Sequence, residues 1–241
     1  TCSLATCYAS HTKFLTGSPC LSRKKVMRSL CHRILTLVLL VIVANFSPPS
    51  FAADNNYKRV QLSHGISIEI PGHWTVLSQD TRKNLAASSQ AMQDNAGIES
   101  TPGRKIGLLA VNATPSPTGA MIRVSVSELA DFSQADLVTW TPTDLKEIGA
   151  ELLSTFRKIE PSGGPRIIEM QTIHVEKFNA NYRALVIPYV RAGASGPSPW
   201  QVTQYKIPVA DRLVEVTLSH RQSDAVLWRP ILERVKRSVQ F

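Results

Sequence analysis

From Arg166 to His220 the sequence passes through four strand-like segments with no helix between them, and this feature limits the fold more than any other. The segments cover 166–178, 181–190, 200–207 and 212–220, joined by turn-rich stretches such as Ala192-Gly-Ala-Ser-Gly-Pro-Ser-Pro199. Parallel neighbours need a crossover of about a dozen residues or more, usually a helix, so strands joined this tightly pair as antiparallel hairpins.

The first half of the chain supplies more of the same sheet and its covering helices. Ile66, Ile68 and Ile70 alternate with Ser67 and Glu69, the period-two pattern of a half-buried strand, after a polar lead-in over 54–63. Two further strands run over 106–113 and 121–127, the second setting Ile122, Val124 and Val126 against Arg123, Ser125 and Ser127. The stretch Thr114-Pro-Ser-Pro-Thr-Gly119 between them reads as a hairpin loop. A helix is predicted over 78–95, with Ser78 or Asp80 as its cap and a thin apolar side of Leu85, Ala86 and Met92. A stronger one starts at Thr141-Pro142 and keeps Leu145, Ile148, Leu152, Phe156 and Ile159 at helical spacing. The last helix carries Leu227, Ile231, Val235 and Val239 on one side and a Glu233/Arg237 pair four apart, with Pro230 marking its start or kinking its first turn. The expected fold class is α+β, an antiparallel six- to seven-stranded meandering sheet flanked by helices as an α/β/α sandwich.

The N-terminus reads as a targeting segment. Arg28, His32 and Arg33 precede the apolar run 34–46, and Ser47-Pro-Pro-Ser-Phe-Ala52 places Ser50 and Ala52 at the two small-residue positions of a signal-peptidase site. A membrane anchor needs about 20 apolar residues, and this run is shorter and followed at once by two prolines. The expected organisation is an N-terminal extension over 1–26 ahead of a start at Met27, a signal peptide over 27–52, and one α+β domain over 53–241. All four cysteines precede Ala52, so the mature part has neither a disulfide framework nor a thiolate metal site. Six of the 27 basic residues lie in the same prefix, and the 21 that remain against 18 acidic residues leave a net charge of only +3. That balance gives no reason to expect nucleic acid as a partner. The expected location is periplasmic or secreted, with no stable membrane insertion once the signal is removed.

Two patches carry a family resemblance. Ile68-Glu-Ile-Pro-Gly-His-Trp74 closes an early strand, and Trp228-Arg-Pro-Ile-Leu-Glu-Arg-Val-Lys-Arg-Ser-Val239 forms a closing helix after a meander through Tyr205-Lys-Ile-Pro208. With the order of elements, they resemble the PsbP-like fold over most of 63–241. That fold is shared by photosystem lumenal proteins, small exported bacterial proteins and a nuclear-transport factor that binds the Ran GTPase. The resemblance implies a binding or assembly role without catalysis. It transfers no functional residue, because both patches read as structural.

The residues themselves single out no catalytic, cofactor or metal site. His64, His73, His174 and His220 have no metal-ligand spacing, and no nucleophile elbow, phosphate loop, dinucleotide fingerprint or His-Glu-x-x-His is present. His174 falls on the polar side of its strand, while His220 shares parity with Val214, Val216 and Leu218. Asn112-Ala-Thr114 matches a glycosylation acceptor by chance, with Pro115 against its use. Of the tryptophans, Trp74 and Trp228 read as packing. Trp200, after the Gly/Ser/Pro loop, could form a recognition rim with Arg191, against the alternative that it too packs. Arg229, Arg234, Lys236 and Arg237 on the last helix could dock an acidic partner or simply form its solvated face. The leading expectation is an exported, non-catalytic binding or assembly accessory of the cell envelope with a protein partner there and no cofactor of its own. A small-molecule or lipid carrier with a pocket between sheet and helices, and a hydrolase without a local motif, are the alternatives.

Overall fold

The alternation read in the sequence becomes a strand, Ala120–Ser127, whose two faces differ: Ala120, Ile122, Val124 and Val126 are fully buried, whereas Met121, Arg123, Ser125 and Ser127 are half-buried. The computed structural model describes residues 56–98, 105–115, 118–128, 130–193 and 197–241. The expected extension over 1–26 and signal peptide over 27–52 lie outside these residues. All described residues belong to one unit, Asp54–Phe241.

The strands are β1 Tyr57–Gln61, β2 Ser67–Pro71, β3 Thr75–Val76, β4 Lys105–Asn112, β5 Ala120–Ser127, β6 Ile167–Met170, β7 His174–Lys177, β8 Arg183–Arg191, β9 Trp200–Val209 and β10 Arg212–Arg221. The α-helices are α1 Gln79–Asn95, α2 Gln134–Thr139, α3 Pro142–Ile159 and α4 Ala225–Arg237. Eight strands form one sheet in the order β3-β4-β5-β10-β9-β8-β6, with β7 also on β8, and every pairing is antiparallel. Two meanders, β3-β4-β5 and β8-β9-β10, are thus joined where β10 lies against β5.

One sheet face is closed by the β1–β2 pair and α4. Ile66, Ile68, Ile70, Trp74, Ile122, Val124, Val214, Val216, Leu232 and Val235 meet there in a single apolar cluster. Each large aliphatic side chain fully buried in it stabilises the fold by about 1.5–3 kcal/mol. Trp228 of α4 packs edge-on against Trp74 at 5.7 Å between ring centroids. Gly119 is where the backbone passes under that indole, and a Cβ on it would stand 2.7 Å from Trp228 Nε1. The opposite face carries α2 and α3 over β6, β8 and β9, where Leu137, Ile173, Leu185, Ile187, Tyr189 and Val202 form a second cluster with Leu145, Ile148, Leu152 and Phe156. Capping boxes start both helices: Ser133 and Asp136 bond reciprocally at α2, and Thr141 and Asp144 do so at α3, with Pro142 in the first turn.

The α+β architecture read from the sequence is therefore present, with local differences. The polar lead-in contains β1, which exposes Lys58 and Arg59 while Tyr57 and Val60 pack on the core; three polar residues in five hid it. The run 166–178 is two strands, because at Gln171 the chain turns its amide to the Pro188 carbonyl and its side chain to Gln201 before rejoining β8. The two-residue β3 beside β4, not expected, and the split into β6 and β7 bring the sheet to eight, while β2, expected in the same sheet, instead pairs only with β1. The six-residue α2 was hidden by its brevity, and Pro230 lies inside α4, which starts five residues earlier at Ala225.

Candidate functional site

The sheet face that carries α2 and α3 is only half apolar. Beyond the part under α2 and α3, the same face of β5, β10 and β9 presents cross-strand rows of polar side chains. In one row Arg123 stands opposite Thr217 and Thr217 opposite Gln204. In the next, Ser125 faces Glu215 and Glu215 faces Lys206. Neighbouring strands are about 4.8 Å apart and successive rows on one face about 7 Å, so these six groups occupy one small area. All six are half-buried.

α1 contacts β4, but none of its residues is buried, and Leu85 on its apolar side is 48% exposed. It is tied at its start by the Ser78 cap and by Arg82, whose Nη1 donates to the Leu77 carbonyl at 2.8 Å.

Electrostatics make the floor cationic. Lys105 Nζ lies 2.6 Å from Glu215 Oε1. Desolvation of the Glu215 carboxyl acts to raise its pKa, but Lys105 and then Lys206 outweigh it and hold the group below its ordinary value. Arg123 has no such counter-charge among the described residues. Its Nη1 donates to the Val111 and Ile122 carbonyls at 2.8 and 2.9 Å, and its Nη2 to Asn112 Oδ1 at 2.8 Å. Burial among these neutral acceptors pushes its pKa down to about 10. Three cations against one carboxylate, with hydroxyls and an amide between them, suit an anionic or acidic binding partner.

At the end of the same face lies a row of different character. Arg191 of β8 faces Trp200 of β9, which faces Arg221 of β10. The Arg191 guanidinium sits 5.3 Å from the Trp200 ring centroid, a cation–π contact. Burial lowers the Arg191 pKa. Trp200 is only 7% exposed, so its indole packs under Arg191 instead of projecting into solvent.

The four basic residues of the last helix do not act as one patch. Arg234 stacks on Tyr57 at 3.7 Å and reaches Glu69 at 3.6 Å, and Lys236 pairs with Glu176 over the Tyr205 ring. Both tie α4 to neighbouring strands. Arg229 and Arg237 are exposed. The structure thus joins Arg191 to Trp200 and separates both from Arg234 and Lys236.

The rows around Arg123 escaped sequence reasoning. Each strand showed only ordinary polar alternation, and the signal lies in the register that puts Arg123, Ser125, Thr217, Glu215, Gln204 and Lys206 on one face. The ring nitrogens of His174 and His220 bond backbone carbonyls, of Thr172 and Arg221, at 3.1 and 2.9 Å. Among the described residues no group of three His, Cys, Asp or Glu could hold a metal ion. No helix among them is long and apolar enough to cross a membrane.

No family model matches the sequence, and no curated protein does. The chain is similar in path to several solved structures. One is the cyanobacterial PsbP of Synechocystis sp. PCC 6803, at 11% identity over 77% of this chain and 92% of that one, with a TM-score of 0.46. Another is LpqN of Mycobacterium tuberculosis, involved in cell envelope biogenesis, at 12% identity over 81% and 97% with a TM-score of 0.40. A third is PA94 of Pseudomonas aeruginosa, of unknown function, at 12% over 77% and 97% with a TM-score of 0.35. The likeness is one of general chain path, and it assigns no activity.

Proposed function

We propose that this protein is an exported, non-catalytic binding or assembly accessory of the cell envelope that receives an acidic segment of a protein partner on the polar half of its sheet. One observation carries the reading: Arg123 is a half-buried guanidinium on the sheet face that also carries Thr217, Ser125 and Lys206, and its described partners are all neutral. Leaving a desolvated cation without a counter-charge costs stability, which a partner's carboxylate would recover on binding. Export rests on the basic, apolar and small-residue succession from Arg28 to Ala52.

The test is co-purification from cells of the tagged full chain and two variants, Lys206→Glu and Arg237→Gln. A single stoichiometric envelope protein is expected with wild type and Arg237→Gln and is lost with Lys206→Glu. Equal capture by all three, or capture of nothing by any, overturns the reading.

The same unpaired guanidinium favours a second reading, a carrier for a small anionic molecule. Native mass spectra of protein isolated without a partner would then show an added mass that Arg123→Met abolishes.

A further inference from the structure

The start of α4 places apolar side chains where a solvated helix would carry polar ones. Val226 is 93% exposed and Leu227 39%. The first turn contains no acidic residue, although acids are favoured there, and Asp224 makes no side-chain cap bond. A lone exposed valine means nothing. This one has cationic surroundings.

Arg229 is exposed three residues on, on the same side of the helix as Val226, with exposed Pro230 beside it. Arg221 ends β10 immediately before this turn. The loop ends converge here: the Gln222 amide donates to the Pro199 carbonyl at 2.9 Å, Ser198 and Ser223 hydroxyls are 3.2 Å apart, and the Ala192 amide donates to the Arg166 carbonyl. Arg166 and Arg191 therefore stand at the same end. Of these four, Arg191, Arg221 and Arg229 lie in the segments 191–193, 197–200 and 219–230, which hold one acid, Asp224. Two exposed apolar side chains beside exposed Arg229, at the end of the domain where Arg221 closes β10, match a surface that dips into a headgroup layer while its cations meet phosphates.

We propose that this end of the domain, centred on Val226, Leu227, Arg221 and Arg229, is a peripheral docking surface for an anionic lipid leaflet. The apolar pair enters the headgroup region and the arginines engage lipid phosphates, holding the polar sheet face close to the membrane. This surface uses none of the residues proposed to receive a protein partner, so either proposal can fail without the other.

The test is amide hydrogen exchange of the full chain with vesicles of phosphatidylcholine alone or containing phosphatidylglycerol. It is resolved by segment, so the apolar run 34–46 cannot produce the signal. The first turn of an α-helix leaves amides without intrahelical acceptors; in α4 the Ala225 amide is held by the Gln222 carbonyl, so added protection is read from the amides that follow it. Slowed exchange over 221–230 is expected with anionic vesicles only. Arg229→Gln should weaken that protection about fivefold in lipid concentration. Val226→Asp should remove it, and Val226→Leu should keep it. No protection over 221–230, or equal protection with neutral vesicles, overturns the proposal. Protection by soluble polyglutamate but not by vesicles also overturns it and assigns the surface to an acidic polypeptide.

Discussion

Replacing Arg123 by Met separates a structural tie from a side chain held ready for a partner. The substitution removes three short donations, to the Val111 and Ile122 carbonyls and to Asn112 Oδ1, each worth about 1 kcal/mol net. It also removes the cost of keeping a desolvated cation. A pKa lowered from 12.5 to about 10 corresponds to about 3 kcal/mol against the charged form. The two effects nearly cancel, while Met fills much of the aliphatic volume. The expected change in unfolding free energy is therefore within about 1 kcal/mol, or a shift of about 2–4 °C in Tm for a domain of this size. Urea unfolding followed by tryptophan fluorescence measures it. A loss of more than about 3 kcal/mol would refute the reasoning, because Arg123 would then be fastening β4 to β5 and nothing more.

Three further outcomes follow from the geometry. Gly119→Ala should destabilise by about 1–3 kcal/mol, since its Cβ would overlap the Trp228 indole; denaturant midpoints for this variant and Gly107→Ala, where nothing stands within 4 Å, give the comparison. Burial of His220 lowers its pKa, so the unfolded chain binds the proton more readily. Stability should fall as pH drops below the unfolded value of about 6.5, and His220→Gln should flatten that part of the stability profile. The carboxylate of Glu215 sits below its ordinary value, so its contribution is present above about pH 4.5 and is lost as acid carries the pH down through the folded pKa. Glu215→Gln should remove that acid-side dependence, read from acid titration of fluorescence.

The scaffold was legible where apolar periodicity is strong. Ile122, Val124 and Val126 announced β5, Thr141-Pro142 announced α3 with its capping box, and four successive strands announced antiparallel pairing. Elements made by tertiary contacts were not. β1 is polar in three of five positions and exists because β2 pairs with it, and the break at Gln171 depends on Gln201, distant in sequence. The site was harder still. Arg123, Thr217 and Gln204 are each an unremarkable polar residue in an alternating strand, and only the join of β5 to β10 to β9 lines them up. Arg191 and Trp200 lie together across β8 and β9, and cross-strand stacking packs the Trp200 ring, the alternative weighed against an exposed rim. Likewise Arg234 and Lys236 looked like one basic face with Arg229 until the strands beside α4 supplied Tyr57, Glu69 and Glu176 as their partners.

The central claim, that the polar half of the sheet is the surface that binds, is tested most directly by placing a photo-activatable cross-linker at Gln204, at Ser125 and, as a control, at Arg237, in cells producing the full chain. The account predicts one discrete adduct from the two sheet positions, its site mapped by mass spectrometry to an acidic segment of the partner, and none from Arg237. Adducts from Arg237 alone, or no adduct from either sheet position, would contradict it.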